Sequence, residues 1–246
     1  MRDSERPGLP RRRLLAASGA AVLGAGLGGI GLAAPASAAT TRNGLDYAWA
    51  PHPSPSAIVA AGYSFVCRYL SNDPTKNLTS AEAQALIGAG IDIVSNWEAA
   101  ADAALNGYNQ GVTDATSAAS QAAACGMPTG RPIYFSVDFN ASASDLPAVE
   151  GYFGGVASVL GLACTGVYGG SYILEQLSSA NLISWGWQTY AWSSGWWPGA
   201  QIQQFGSATV AGVKCDADRS AAADFGQWGT PAMSTPELGE DAYVGG

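Results

Sequence analysis

One histidine, four cysteines and eleven basic residues are all that 246 residues contain of these types. The lone His52 sits between Pro51 and Pro53. Serine–histidine or cysteine–histidine catalysis therefore has one possible base, in a proline-rich loop where a site-wall contact is the plainer role. With no second histidine and no close Cys/His cluster, a metal site of the zinc type is unsupported. Cys67, Cys125, Cys164 and Cys215 are too few to staple a small scaffold, and a buried thiol is the default for each.

The scarce cations are also unevenly placed. Arg11, Arg12 and Arg13 precede Leu14 and Leu15, an uncharged Ala/Gly/Leu stretch runs from Ala16 to Ala34, and Ala36-Ser37-Ala38 offers small residues for cleavage. This is the pattern of a twin-arginine signal peptide over residues 1–38. A retained anchor is disfavoured by the many glycines in the apolar run, which otherwise approaches the roughly 20 residues that span a bilayer. Removing the leader takes five arginines, Asp3 and Glu5 from the 11 basic and 19 acidic residues, leaving six and 17 and a net charge of −11. Such a chain is expected to bind no nucleic acid through phosphates and, once cleaved, no membrane.

From Asn43 onward, short β-branched and aromatic runs alternate with Ala-rich or amphipathic ones, the signature of βα units around a parallel sheet. Eight strands are predicted: 44–48, 63–70, 91–98, 132–139, 165–170, 185–192, 200–206 and 213–218. Thr79 with Glu82 three residues on forms a capping box. Further helices are predicted near 112–125, from Asp145 to Gly161 with Pro147 in the first turn, and over 172–180. The last two crossovers are too short for full helices. The reading is an α/β chain folded as one compact (β/α)8 barrel over 39–228, with a flexible acidic tail over 229–246.

Strand side chains alternate between faces. In the fourth strand Ile133, Phe135 and Val137 suit the helix side, leaving Tyr134, Ser136 and Asp138 inside, with Asp138 at the carboxyl end. The third strand turns Asp92, Val94, Asn96 and Glu98 inward. Asp46 in the first strand and Asp216 in the eighth complete four carboxylates on one rim, where barrel enzymes keep their sites. Glycosidic hydrolysis needs such acids, one to protonate the leaving oxygen and one as nucleophile, base or stabiliser of positive charge. The bland alternative pairs them with Arg68, Lys214 or Arg219. Of eight tryptophans, Trp192, Trp196 and Trp197 fall in one loop with Tyr190, and flat aromatic faces suit sugar rings; Trp49 and Trp97 each adjoin a rim acid.

Gly44-Leu45-Asp46-Tyr47, Val66-Cys67-Arg68-Tyr69-Leu70, Gly107-Tyr108 with Gly111 and Asp114, Pro132 to Phe139, Gly166-Val167-Tyr168-Gly169-Gly170, Trp187 to Trp192 and Gln203-Gln204-Phe205 together resemble the actinobacterial, twin-arginine-exported glycoside-hydrolase-like family first catalogued as domain of unknown function 1906. The match runs from about Asn43 to Ala223. That family is similar to the glycoside hydrolase family 25 lysozymes, barrel muramidases that cut peptidoglycan. The resemblance places Asp46, Asp138 and Asp216 at acidic positions ending the first, fourth and eighth strands. It also marks a departure: the lysozyme Asp-x-Glu of the fourth strand is Ser136-Val137-Asp138 here, with Glu98 the neighbouring substitute.

The expected function is a secreted or cell-wall-associated glycosidase-like enzyme on cell-envelope glycan, monomeric and needing no cofactor. Asp138 is the general acid, Glu98 or Asp46 the partner carboxylate and Asp216 the orienting group. Trp49, Arg68, Trp97, Tyr134, Ser136, Tyr168, Gln188, Tyr190, Trp192 and Gln204 are the candidate substrate-binding side chains. A non-catalytic glycan-binding barrel is the rival reading, and a peptide-binding envelope partner a third. Parity puts Cys67 and Cys215 on the helix side. If any disulfide exists, it joins Cys125, which ends a helix, to Cys164, which precedes a strand.

Overall fold

The computed structural model describes residues 41–229; the predicted signal peptide and nearly all of the predicted tail lie outside them. Eight strands close a barrel in chain order: β1 (Asn43–Asp46), β2 (Phe65–Leu70), β3 (Asp92–Trp97), β4 (Ile133–Ser136), β5 (Thr165–Gly169), β6 (Trp185–Thr189), β7 (Ile202–Val210) and β8 (Val213–Ser220). Five helices cover it: α1 (Pro55–Ala60), α2 (Ser80–Gly88), α3 (Gly107–Ala124), α4 (Leu146–Leu160) and α5 (Ser171–Ser179). All eight predicted strands are present. Among the described residues no helix follows β6 or β7, so no helix from those crossovers covers the outer face of the last strands.

One expectation fails. β1 to β7 pair in parallel, but β8 runs antiparallel to both β7 and β1. The cause is local: Ala211 and Gly212, at φ 49° and 83°, make a two-residue connection with both φ positive. That is the tight hairpin turn whose twist matches two paired strands. The chain therefore folds straight back after Val210 instead of crossing over.

Packing divides into two layers. Inside the barrel Phe65, Cys67, Val94, Tyr134, Tyr168, Trp187, Ile202 and Phe225 form one buried cluster. Outside it, Leu45, Val66, Leu70, Ile93, Phe135, Val137 and Val167 pack beneath the helices. This agrees with the parity assigned to β3 and β4 and corrects it for Cys67, which faces inward with Phe65. Gly44 is dictated by the same interior, because a Cβ there would lie 2.3 Å from the Phe65 ring. Residues 221–228 return across the amino-terminal pole, where the Phe225 carbonyl accepts from Tyr134 and Trp228 exchanges two backbone hydrogen bonds with Ile93.

The α3–α4 pair is the closest helix contact. A Cβ on Gly111 would lie 2.0 Å from the Tyr152 carbonyl oxygen, and one on Gly155 2.2 Å from that of Tyr108. The contact is pinned by Asp114, buried in α3, which accepts from the Tyr152 hydroxyl at 2.9 Å and from Gln110 at 2.8 Å. Thr79 caps α2 by accepting from the Glu82 N–H at 3.1 Å. Glu82 spends its carboxylate on Arg68 rather than closing the capping box.

Candidate active site

Asp46 ends β1 pointing inward and is 3% exposed. Its two oxygens accept from Tyr69 at 2.9 Å and from Gln204 at 2.8 Å. Gln204 is itself fixed, since its Oε1 accepts from Thr189 at 2.7 Å and Tyr168 at 3.1 Å. These donors favour the charged form of Asp46, but burial outweighs them and the nearby Asp216 charge adds to it, raising its pKa from 3.8 to about 6. Asp218 lies one pleat deeper on β8, fully buried, with Oδ1 accepting from the Trp187 indole at 2.8 Å. Burial first and the Asp46 charge second hold its carboxyl well above the ordinary range.

Asp46 and Asp216 line a cleft of about 490 Å³, with Tyr47, Trp49, Tyr69, Ser207, Thr209, Lys214 and Cys215. This is within the range of small-ligand sites, about 300–1,000 Å³. Asp216 reaches the rim for a reason other than the predicted one: β8 descends from the hairpin, so Asp216 lies level with Asp46, its register partner, without ending a strand. Burial raises its pKa.

Asp138 follows β4 and is half-buried; burial raises its pKa and the Glu98 and Asp216 charges raise it further, while Lys76 opposes them. Glu98 is ion-paired with Lys76, whose ammonium also lies 4.6 Å from the Tyr69 ring and 5.2 Å from the ring of Trp49. Beside these acids Ser136 accepts from Asn96 at 2.9 Å. Burial thus raises the pKa of Asp46, Asp138, Asp216 and Asp218, while Glu98 is ion-paired with Lys76. Among the described residues no group of His, Cys, Asp or Glu could hold a metal ion.

Several nominated side chains are not brought to this cleft. Arg68 points to the helix side, fully buried, donating to both Glu82 oxygens at 2.7 and 3.1 Å and to the Tyr47 carbonyl; parity from Phe65 and Cys67 would have turned it outward. Trp97 is 1% exposed in the helix-side core. Tyr134 is inward but at the opposite pole, bound to Phe225. Gln188 is fully buried and holds the following loop through the Trp197 N–H and the Gly195 carbonyl. Tyr190 and Trp192 are exposed on separate concavities, away from the main cleft. Trp49, Tyr168, Ser136 and Gln204 stay with the carboxylates. All four cysteines are free thiols; Cys125 donates to the Leu78 carbonyl at 3.3 Å, turned toward the α2 side, so no Cys125–Cys164 disulfide forms.

Sequence reasoning missed Tyr69, Lys76, Asp218 and Lys214. Tyr69 shares the parity of Phe65, which was the available signal; Asp218 shares that of Asp216.

A barrel of seven parallel strands closed by an antiparallel eighth, with Asp46 and Asp216 level with each other in a cleft at its mouth, is the architecture of a glycoside-hydrolase-like protein. The chain belongs to the Rv2525c-like, glycoside hydrolase-like domain family, whose model matches residues 56–222. It is 34% identical over 230 residues, 87% of this chain and 95% of the relative, to Rv2525c of Mycobacterium tuberculosis, whose name provisionally makes it a peptidoglycan hydrolase. The crystal structure of that Tat-secreted protein with HEPES matches with a TM-score of 0.72 and 33% identity, covering 76% of this chain and 98% of that one. The muramidase of Trichobolus zukalii shares the fold, with a TM-score of 0.52 at 15% identity over 74% of this chain and 94% of that one.

Proposed function

We propose that this protein is exported by the twin-arginine pathway and acts on cell-envelope glycan, peptidoglycan or a related polymer, by carboxylate acid/base chemistry. The observation that carries the reading is the cleft itself, in which Asp46 and Asp216, both with raised pKa, stand beside an exposed aromatic ring at Trp49, while Asp138 stands outside its lining and feels the Asp216 charge. Membership of the glycoside hydrolase-like family and the Tat-secreted relative support both substrate class and route.

Asp138, whose pKa is raised by burial and by the Glu98 charge, serves as general acid to the leaving glycosidic oxygen. Asp46, clamped by Tyr69 and Gln204, faces the anomeric carbon as the partner carboxylate and stabilises the positive charge that grows there. Asp216 orients the sugar, and its charge adds to the burial that raises the pKa of Asp46 and Asp138. Glu98 is ion-paired with Lys76, and the two charges act on Asp138 in opposite directions, Glu98 raising its pKa and Lys76 lowering it.

Reducing ends released from purified peptidoglycan measure the activity, and Asp138→Asn lowers it by about 10²–10⁴ if the acid role holds. Equal glycan affinity with no reducing ends from either protein leaves the non-catalytic barrel. That second reading has its own support: Asp46 has both oxygens engaged, and Ser136 stands where the related lysozymes carry an acid.

A further inference from the structure

Among the described residues no helix follows β6 or β7, and the outer face around Phe205 and Arg219 stays partly exposed and carries an unusual group. Phe205 on β7 is 44% exposed and Trp196, from the β6–β7 loop, is 38% exposed. The Arg219 guanidinium of β8 lies between them, 5.4 Å from the Phe205 ring centre and 5.6 Å from that of Trp196. Its Nε donates to Gln203 Oε1 at 2.8 Å. Among the described residues its two terminal nitrogens have no hydrogen-bond or carboxylate partner.

That freedom is exceptional in this chain. Arg42, Arg68, Lys76 and Arg131 each pair with a carboxylate, which leaves Arg219 and Lys214 as the cations without one among the described residues. In a chain of net charge −8, a guanidinium held between two rings and denied an acid is a cation kept for a ligand. Next to it Trp196, Tyr190, Ser193 and Gly195 line a concavity of about 200 Å³. The loop is held in place there, since the Tyr190 N–H donates to the Gln204 carbonyl at 2.9 Å.

We propose that this outer face is a second saccharide site, separate from the carboxylate cleft, which binds a pyranose bearing a carboxylate. The aromatic faces take the C–H face of the ring, and the free edge of Arg219 takes the carboxylate through two parallel N–H donors. The site needs no bond cleavage, so it stands whether or not the cleft is catalytic.

N-acetylmuramic acid and N-acetylglucosamine differ by a lactyl ether that carries a carboxylate, and they are the probes. Residues 39–246, labelled with ¹⁵N, are titrated with each, and the Trp196 indole signal is assigned with Trp196→Phe. The acidic sugar is expected to shift that signal saturably, at least tenfold more tightly than the neutral one. Arg219→Gln is expected to erase the difference, Arg219→Lys to retain part of it, and Asp46→Asn to leave it unchanged. The proposal is overturned by an unmoved Trp196 signal, by a preference for the acidic sugar that survives Arg219→Gln, or by its loss in Asp46→Asn, which would put the ligand in the cleft. Displacement by an equal concentration of inorganic phosphate overturns it too, since the site would then be one for bare oxyanions. Thermal unfolding of each variant accompanies the titrations, and Phe205→Ser, which removes one ring without touching the charge, replaces Arg219→Gln if the latter fails to fold.

Discussion

Two adjacent glycines of α4 make the tightest test of the packing, because the same substitution is predicted to act with opposite sign one residue apart. A Cβ at Gly155 would stand 2.2 Å from the Tyr108 carbonyl oxygen and 3.0 Å from the Val112 nitrogen, both backbone atoms that no rotamer change can move. Relief requires α3 and α4 to part by about 1 Å, an overpacking cost of about 1–3 kcal/mol. Parting also weakens the buried Tyr152–Asp114 hydrogen bond that joins the helices, whose loss costs about 1–3 kcal/mol. Replacing glycine by alanine in a helix returns up to about 1 kcal/mol. Gly155→Ala is therefore expected to destabilise by about 2–4 kcal/mol, which at about 2–4 °C per kcal/mol for a domain of this size lowers Tm by about 4–16 °C. At Gly154 the nearest atom to an added Cβ is Tyr108 Cδ2, at 3.7 Å. Gly154→Ala should accordingly be neutral or stabilise by up to about 1 kcal/mol. Thermal and urea unfolding of the two variants decide it, and equal Tm values would refute the claim that backbone contact sets the α3–α4 spacing.

Three further outcomes are expected. Arg68→Met strands the Glu82 carboxylate beneath the barrel wall and should cost about 3–5 kcal/mol in urea unfolding, with the cleft otherwise intact. Asp46, with its pKa raised from 3.8 to about 6, binds more protons folded than unfolded. Its contribution is therefore complete below about pH 4 and is lost as pH rises through about 6, at a cost on the order of 3 kcal/mol by pH 7. Asp138, Asp216 and Asp218 shift the same way, so stability should rise on acidification from pH 7 to 5; Asp46→Asn should flatten that slope, and an unchanged slope would contradict the assignment. Ala211 holds φ 49° in the β7–β8 turn, so Ala211→Asn should raise Tm by a few degrees, in line with about 0.5–1 kcal/mol gained by a residue suited to that conformation.

How far the sequence reaches can be read from individual residues. Alternation in β4 separated Asp138 and Ser136 from Phe135 and Val137 correctly because every residue there meets either helices or the barrel interior. The same alternation is blind to polarity: reversing a strand leaves its two faces unchanged, so Val213–Ser220 could be recognised as a strand while its direction was not. The direction was written instead in Ala211-Gly212 between two valines, a hairpin signal. Arg68 and Trp97 were misassigned because an arginine or tryptophan near an acid reads equally well as a ligand contact or as packing, and only the position of Glu82 and of the helix layer decides. Asp218 shares the inward parity of Asp216 but passed unnoticed because parity says nothing of depth, and depth is what burial and the Asp46 charge act through.

The reversed last strand also governs how the molecule can be held. With β8 descending, Arg42 and Ser220 exchange backbone contact, the Ser220 N–H reaching the Arg42 carbonyl at 2.9 Å, and Asn43 stands opposite Arg219. The barrel is thus entered and left through one doorway, on the side away from its mouth. Chain that continues from Arg42 or from Trp228 therefore departs at the foot of the barrel, and the cleft at the opposite end is left clear of both connections.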